Sequence, residues 1–349
     1  MSRSPLLRMF GAAVVCAALA GVAMVANQAP PTGARMTTAA EKFLGTLTPE
    51  QKKAATFSYD DPHRTAWFFT PQQDKQKQST RKGVRFDGLN EKQKTAVMEL
   101  LRTGLSESGY SQAETIMSLE AILADLEGKS GAMVRNPNWY FVSIFGEPSN
   151  TGSWGWRIEG HHFSTSFTLE KGEVLSPAPM MFGANPAEVK DGPKKGLRTL
   201  PEAEDTAKKL IGSLNDEQKK VALQAKQLPE IREGFPDAGV GAPLGIPAGK
   251  LNDSQKELLT AVINAYANRM PNDVAKAERD RLKEAGFEKV HFAYCLEETK
   301  PGKPYTYRVQ GPTFVVEFLN VQADSAKNPA NHIHSSWRRL PMDFGLKPK

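Results

Sequence analysis

The chain has 349 residues, of which 40% are hydrophobic and 24% are charged. This balance is that of a globular protein with a sizeable core, and it excludes disorder of the whole chain. The net charge is +6, but Lys and Arg are interspersed with Asp and Glu nearly everywhere, and no basic block carries interleaved aromatic residues. Nucleic-acid binding is therefore not expected.

The first 35 residues have the pattern of a targeting segment. Arg3 and Arg8 precede an uncharged apolar run over residues 9–26, and a polar stretch with two prolines follows. This order is typical of an export signal, although the run is almost long enough to cross a membrane and no clean Ala-x-Ala site follows it. We expect residues 1–35 to be a cleaved signal peptide or an N-terminal anchor. The protein would then be periplasmic or extracellular and would touch a membrane only through this segment.

The rest of the chain contains an internal repeat. Residues 40–53 align without a gap on residues 207–220, with eight of the fourteen positions identical. The alignment continues into the strand region with Phe141 and Phe292, Arg157 and Arg308, and Gly160 and Gly311. Self-similarity of this length indicates a duplicated unit. We interpret residues 36–190 and 191–349 as two similar domains.

Each repeat is expected to contain helices followed by strands. The phrase Leu-(Thr/Asn)-x-x-Gln-Lys occurs four times, each time ahead of a helix-favouring segment. Its second residue suits a helix N-cap, because a side-chain oxygen there accepts from the amides of the first turn. These N-cap residues are Thr48, Asn90, Asn215 and Asn252. Alternation of apolar residues predicts strands over residues 138–145, 154–159 and 161–170, and over residues 289–296, 305–310 and 313–320 in the second repeat.

This order of elements predicts an α+β fold with a tandem internal duplication. Each half would be a helical block followed by an antiparallel β-meander, and the halves would face each other across a pseudo-two-fold axis. Residues 190–201, rich in Gly, Pro and Lys, are the expected linker. A cleft between the halves is the natural place for a small ligand. The sequence predicts no oligomeric state.

The strand pattern changes phase at Gly160-His161-His162. Large apolar side chains occupy even positions before this point and odd positions after it, and the second repeat changes phase at Gly311. Because strand side chains alternate with period two, the change predicts a bulge or a tight bend. Glycine suits such a bend, since it tolerates the backbone angles required. At a bend, unlike on a regular strand, His161 and His162 can point to the same side.

A second histidine pair, His332 and His334, lies near the C-terminus. On an extended segment these two rings point to one face. If the pseudo-axis brings the pairs together, four imidazoles meet, and imidazole suits divalent metals such as zinc and copper. One ion can be held by both pairs only if they lie within roughly 10 Å of each other, because metal–nitrogen bonds are about 2 Å long. His63 and His291 are expected to lie outside this site.

Two arginines, Arg157 and Arg338, lie close to the histidines in sequence. Cations oppose a bound metal and favour an anionic ligand, so we expect these two to contact an anionic substrate or transition state. The first hypothesis is an exported metal-binding protein, with metal-dependent hydrolysis as its reaction. The alternative is a non-catalytic cell-envelope protein that holds a small or anionic ligand in the cleft. A purely structural role for the histidines is the third possibility.

Four segments of the chain resemble the signature of an uncharacterised bacterial family called domain of unknown function 3500. They are residues 156–163, 182–186, 196–200 and 332–338. The resemblance covers essentially the whole chain after the N-terminal segment. It implies no reaction, cofactor or catalytic residue, and it indicates only that these segments, with both histidine pairs, belong together.

Overall fold

The computed structural model describes residues 30–128 and 131–348. Residues 1–29, which carry most of the predicted export segment, lie outside the described residues. Pro31–Lys349 form one compact unit. Within the described ranges, no helix is both long and apolar enough to cross a membrane.

The described chain has an α+β fold in which helices precede the main strands in each half, as predicted. The helices are α1 Thr32–Thr46, α2 Pro49–Ala55, α3 Glu91–Gly104, α4 Glu107–Glu127, α5 Pro201–Ser213, α6 Asp216–Ala222, α7 Asp253–Ala267 and α8 Asn272–Ala285. The strands are β1 Thr56–Phe57, β2 Val84–Arg85, β3 Phe141–Phe145, β4 Ser153–Gly160, β5 Phe163–Glu170, β6 Glu173–Ser176, β7 Met180–Phe182, β8 Ile246–Pro247, β9 His291–Leu296, β10 Tyr305–Gln310, β11 Phe314–Gln322 and β12 His332–Arg339. The six strands predicted from alternation are confirmed to within a few residues.

All four predicted N-caps are confirmed, and each is one half of a capping box. The cap side chain accepts from the backbone N–H three residues on, and the Gln side chain at that position accepts from the N–H of the cap residue. The same glutamines pair across helices: Nε2 of Gln93 lies 2.7 Å from Oε1 of Gln51, and Nε2 of Gln218 lies 2.8 Å from Oε1 of Gln255. The repeated phrase therefore caps each helix and also ties α2 to α3 and α6 to α7.

All the strands belong to one sheet of 12 strands, in the order β1-β3-β4-β5-β7-β12-β11-β10-β9-β8, with β2 beside β3 and β6 beside β5. Among the strand pairs of the described chain, only β1 and β3 run parallel to each other. The short strand β7 joins the halves, because it pairs with β5 on one side and β12 on the other. At this seam, formed by β5, β7 and β12, the halves are joined by backbone pairing within one sheet.

One face of the sheet is apolar and packs against the helices. Its core includes Trp156, Phe167, Tyr307, Phe318 and Trp337, which form one cluster with buried helical residues of both halves. Directly paired residues of neighbouring strands point to the same face, so the pairings Trp156 with Phe167 and Tyr307 with Phe318 place these rings side by side. The core is thus continuous across the seam.

The opposite face carries many buried polar side chains and is covered by two long loops, residues 58–83 and 224–245, which also bury a small apolar cluster against it. Arg157 on β4 donates to two carbonyl oxygens of the first loop. Arg338 on β12 donates to two carbonyl oxygens of the second loop. Both arginines are 0% exposed. Buried charges on this face therefore hold the loops against the sheet.

The phase change at residues 160–162 is a two-residue hairpin turn. Gly160 pairs with Phe163, so only His161 and His162 connect β4 to β5. The predicted tight bend is confirmed, but the reason given for glycine is wrong. The left-handed backbone conformation belongs to His162, whose φ is 61°. Glycine is needed at residue 160 because a Cβ there would lie 2.4 Å from the Tyr140 ring.

Candidate metal centre

Three imidazoles meet where the β4–β5 turn lies against the start of β12. Nε2 of His332 lies 2.8 Å from Nε2 of His162 and 3.1 Å from Nε2 of His334. In a tetrahedral zinc site with bonds of about 2.0–2.1 Å, the ligand nitrogens lie about 3.3 Å apart. The three residues therefore could hold one metal ion, and the two histidine pairs lie well within the separation that a shared ion requires.

The two ligands of the second half are presented by β12. His332 and His334 are two residues apart on this strand and point to the same face. The start of β12 is set by a register shift in β11 between Asn320 and Gln322. Oδ1 of Asn320 accepts from the backbone N–H of His332 at 3.1 Å. This bond fixes the point at which the histidine strand begins.

His162 is held in its left-handed conformation by two backbone hydrogen bonds. Its N–H donates to the carbonyl oxygen of Phe69 at 2.9 Å, and its carbonyl oxygen accepts from Gly183 at 2.7 Å. A non-glycine residue adopts this conformation only where its surroundings impose it. The ring position also depends on Gly183, because a Cβ there would lie 3.2 Å from Cδ2 of His162 and 2.8 Å from the carbonyl oxygen of Ile333.

The second ring nitrogens of His332 and His334 face polar groups of the chain. Nδ1 of His334 lies 2.9 Å from Oε2 of Glu230. Nδ1 of His332 lies 3.5 Å from Nδ2 of Asn185, while Oδ1 of Asn185 is buried without a partner among the described residues. Turning this amide over would place Oδ1 against the ring. Each Nδ1–H then donates to an oxygen, which directs the Nε2 lone pair to the common point.

Two of the three rings, His162 and His332, are held in their neutral form. Burial lowers the pKa of His332 to about 2, and the neighbouring His334 acts in the same direction. Burial also lowers the pKa of His162 well below its ordinary value, with a further contribution from His161. Neutral imidazole is the form that binds a metal. Converging lone pairs repel one another unless a cation lies between them.

His161 has different partners from the other three histidines. Its ring stacks on His162 with 3.7 Å between centroids, and Nδ1 contacts the carboxylate of Glu120 on α4. Nη1 of Arg135 lies 3.3 Å from the same Nδ1, and Arg135 forms a salt bridge with Glu127. Glu120, His161 and His162 form a second group that could hold an ion. The salt-bridged Arg135 beside it makes this group a weaker candidate than the three converging Nε2 atoms.

Among the described residues, no contact joins Arg157 or Arg338 to either of the two histidine pairs. Nε of Arg157 lies 3.0 Å from Oε2 of Glu159, and Nη2 lies 3.0 Å from the ring of His63. Arg338 pairs with Asp343. Their other contacts are the loop carbonyls described above. Both side chains are therefore engaged within the chain, although Nε of Arg157 makes only the ion-pair contact and no hydrogen bond among the described residues.

Sequence reasoning did not identify Glu120, Glu230 or Asn185. Glu120 lies on the buried face of α4 with Met117 and Leu123, and a carboxylate within an apolar stripe is a signal for a site. Asn185 falls in one of the segments that carry the family resemblance. Glu230 lies in a loop without periodicity, and nothing in the sequence distinguishes it from other surface carboxylates.

Comparison with known proteins supports the resemblance in the signature segments. No curated protein and no solved structure matches the chain. One family model, described as protein of unknown function (DUF3500), matches residues 30–346. The match includes both histidine pairs and nearly the whole chain. The chain therefore belongs to the DUF3500 family.

Proposed function

We propose that the protein binds one divalent metal ion through the Nε2 atoms of His162, His332 and His334. The observation that carries this proposal is the convergence of three imidazole nitrogens at ligand spacing, on two buried rings and one half-buried ring. Zinc and copper are the preferred ions, since neutral imidazole suits both. Glu230 and Asn185 support the site by fixing ring orientation.

Three protein ligands favour a catalytic site over a structural one. Structural zinc usually has four protein ligands, whereas catalytic zinc has three and keeps a position open for water or substrate. A bound ion supplies an activated water and polarises a substrate oxygen. We therefore propose metal-dependent hydrolysis as the reaction class. His161, oriented by Glu120 and stacked on a ligand, is the group of the chain best placed to hold a proton beside the ion.

The alternative is a non-catalytic binding protein, and one observation favours it. The cavity beside Glu120, Arg135 and His161 has a volume of about 20 Å³, which is room for roughly one water molecule. A substrate that entered this cavity to reach His161 would need the Arg135 side chain to move. A protein that only stores or carries the ion would need no such movement.

We also propose that the two halves arose by duplication and that residues 1–35 direct export. The duplication is supported by the alignment of residues 40–53 on 207–220 and by matching capping boxes with matching Gln–Gln pairs. The turn equivalent to His161-His162 is Pro312-Thr313, so the metal ligands occupy non-equivalent positions in the two halves. Export rests on the sequence pattern alone.

Metal analysis of protein purified without a nickel column tests the metal site. We expect about one equivalent of zinc or copper per chain, since the three nitrogens are placed for a single ion. His332→Ala and His334→Ala should each lose most of it. His291→Ala is the matched control, because this ring bonds the carbonyl oxygen of Lys289 at the start of β9 and lies outside the site. Far less than one equivalent in the unaltered protein, unchanged in the variants, would contradict the proposal.

Hydrolysis is tested separately with activated esters and phosphate esters. The metal-loaded protein should cleave at least one of these classes, and removal of the ion with a chelator or the change His162→Ala should abolish cleavage. A protein that binds one equivalent of metal but cleaves none of them would favour the non-catalytic alternative.

A further inference from the structure

Arg269, in the connection between α7 and α8, is a buried cation without a counter-ion. It is 2% exposed. Its Nε and Nη1 atoms have no hydrogen-bond partner within residues 30–128 and 131–348. An unpaired buried charge is far more costly than a paired one, because the loss of hydration is not offset. The described side chains therefore do not account for what balances the charge of Arg269.

Four other buried arginines of the described chain are paired with carboxylates, and a fifth, Arg64, donates to the backbone carbonyl oxygens of Tyr59 and Phe344. The pairs are Arg157 with Glu159, Arg308 with Glu317, Arg338 with Asp343 and Arg339 with Glu278. The fold thus supplies a carboxylate or backbone carbonyl oxygens at the other five positions, whereas Nε and Nη1 of Arg269 have neither among the described residues.

Aromatic rings cover the faces of the Arg269 guanidinium but leave its edge unpaired. Cζ lies 4.3 Å from the ring centroid of Tyr266 and 4.8 Å from that of Phe182. Cation–π contacts of this kind act on the flat faces, whereas the N–H groups lie in the plane of the guanidinium. The rings therefore stabilise the charge without providing a hydrogen-bond acceptor.

The nearby ionisable groups do not act as the counter-ion. The hydroxyl of Tyr266 is 2.6 Å from that of Tyr307, which donates to the carbonyl oxygen of Ala203. Burial raises the pKa of Tyr266 to about 12, so this hydroxyl is neutral near pH 7. The charge of Glu202 acts on Arg269, but Glu202 is exposed and forms no salt bridge with it in the described part of the chain.

We propose that the edge of the Arg269 guanidinium binds a small monovalent anion of about the size of chloride. One negative charge balances the unpaired cation, and the burial of Arg269 favours a small ion over a bulky one. The site links three elements at the seam. Phe182 belongs to β7, Arg269 follows α7, and its carbonyl oxygen accepts from the backbone N–H of Ser106 at the start of α4. The anion should therefore stabilise the whole unit.

Thermal unfolding of the full chain in different sodium salts tests this site. Chloride and bromide should raise the Tm saturably relative to gluconate, a bulky anion, at the same ionic strength, which keeps charge screening equal. Arg269→Met removes the charge at similar volume and should abolish the difference between the salts. Arg281→Met, which changes a half-exposed arginine of α8, should leave the difference as it is.

Crystals grown in bromide give an independent readout if Arg269→Met fails to fold. We expect an anomalous bromide peak at hydrogen-bond distance from the Arg269 guanidinium in the unaltered protein. A Tm that is the same in all three salts, together with no bromide at Arg269, would overturn the proposal. The two aromatic rings alone would then stabilise this cation.

Discussion

At the scale of single residues, His162 combines two demands that seldom coincide. Its backbone is left-handed, with φ at 61°, and its ring meets those of His332 and His334. The left-handed conformation costs roughly 1–2 kcal/mol in an L-residue. Strain of this size at a site that positions a side chain is typical of functional residues.

Replacing His162 separates the backbone cost from the role of the ring. Both His162→Gly and His162→Ala should lose the metal. In the metal-free protein the glycine variant should be more stable than the alanine variant by about 1 kcal/mol, since glycine has no penalty at positive φ. Urea unfolding in the presence of a chelator measures this difference. Equal stability of the two variants would show that the turn relaxes when the ring is removed.

The lowered pKa of His63 predicts that the free energy of unfolding depends on pH, independently of the metal site. Burial lowers its pKa to about 3, and Arg157 acts in the same direction, whereas the unfolded chain has the ordinary value of about 6.5. The unfolded state therefore binds the extra proton first. The contribution of neutral His63 to the free energy of unfolding is complete above about pH 6.5. It is lost as the pH falls towards 3, and the free energy of unfolding drops by up to about 1.4 kcal/mol per pH unit.

The contribution of His63 is measured by comparison with His63→Gln, because burial also lowers the pKa of His161, His162 and His332. Urea unfolding at pH 7 and pH 4.5 should show a smaller drop in the free energy of unfolding for the variant than for the unaltered protein. An identical drop in both would mean that His63 is not held neutral by Arg157 and its burial.

At the scale of elements, local signals were predictable and pairing between distant strands was not. The four N-caps follow from residues three apart, and the strands β4 and β5 follow from alternation. The three-residue strand β7 is too short for a periodic signal. β12 contains only two large apolar side chains, Ile333 and Trp337, because its other face lies under the polar loop layer. The pairing of β7 with β5 and β12, which positions the site, could therefore not be predicted from the sequence.

Gly183 offers a test of how closely β12 must approach the turn. In Gly183→Ala the added Cβ would lie 2.8 Å from the carbonyl oxygen of Ile333, so the backbone beside His332 must shift away from His162. We expect a loss of metal affinity of roughly tenfold or more, comparable with other changes that disturb ligand orientation. Competition with a chromophoric chelator measures it.

Gly212→Ala is the matched control for this change. Gly212 lies within α5, and nothing lies within 4 Å of a Cβ placed there. Alanine should leave the metal affinity unchanged and raise the stability by about 0.5–1 kcal/mol, because alanine favours the helix over glycine. The same metal affinity in Gly183→Ala as in the control would contradict the importance of the close approach.

At the scale of the whole molecule, the site joins parts of the chain that are far apart in sequence. His162 comes from the first half, His332 and His334 from the second, and β7 lies between their strands in one sheet. The sequence predicted which residues could meet. It did not distinguish His161 from the other three, because that difference depends on Glu120 and Arg135, which reach the site through tertiary packing.

Because the core is continuous, metal binding should stabilise the whole unit. An ion present at 100 times its Kd adds about 2.7 kcal/mol to the free energy of unfolding. Addition of a chelator should therefore lower the Tm of a single cooperative transition. Calorimetry that shows two transitions, with only one sensitive to the chelator, would indicate that the halves unfold separately.

The proposed site binds one ion through three imidazoles drawn from both halves. X-ray absorption spectroscopy at the edge of the bound metal tests it most directly. For zinc, we expect three imidazole nitrogens and one oxygen at about 2.0–2.1 Å, with one imidazole lost from the signal in His332→Ala. A first shell with fewer than three imidazoles, or one unchanged by His332→Ala, would contradict it.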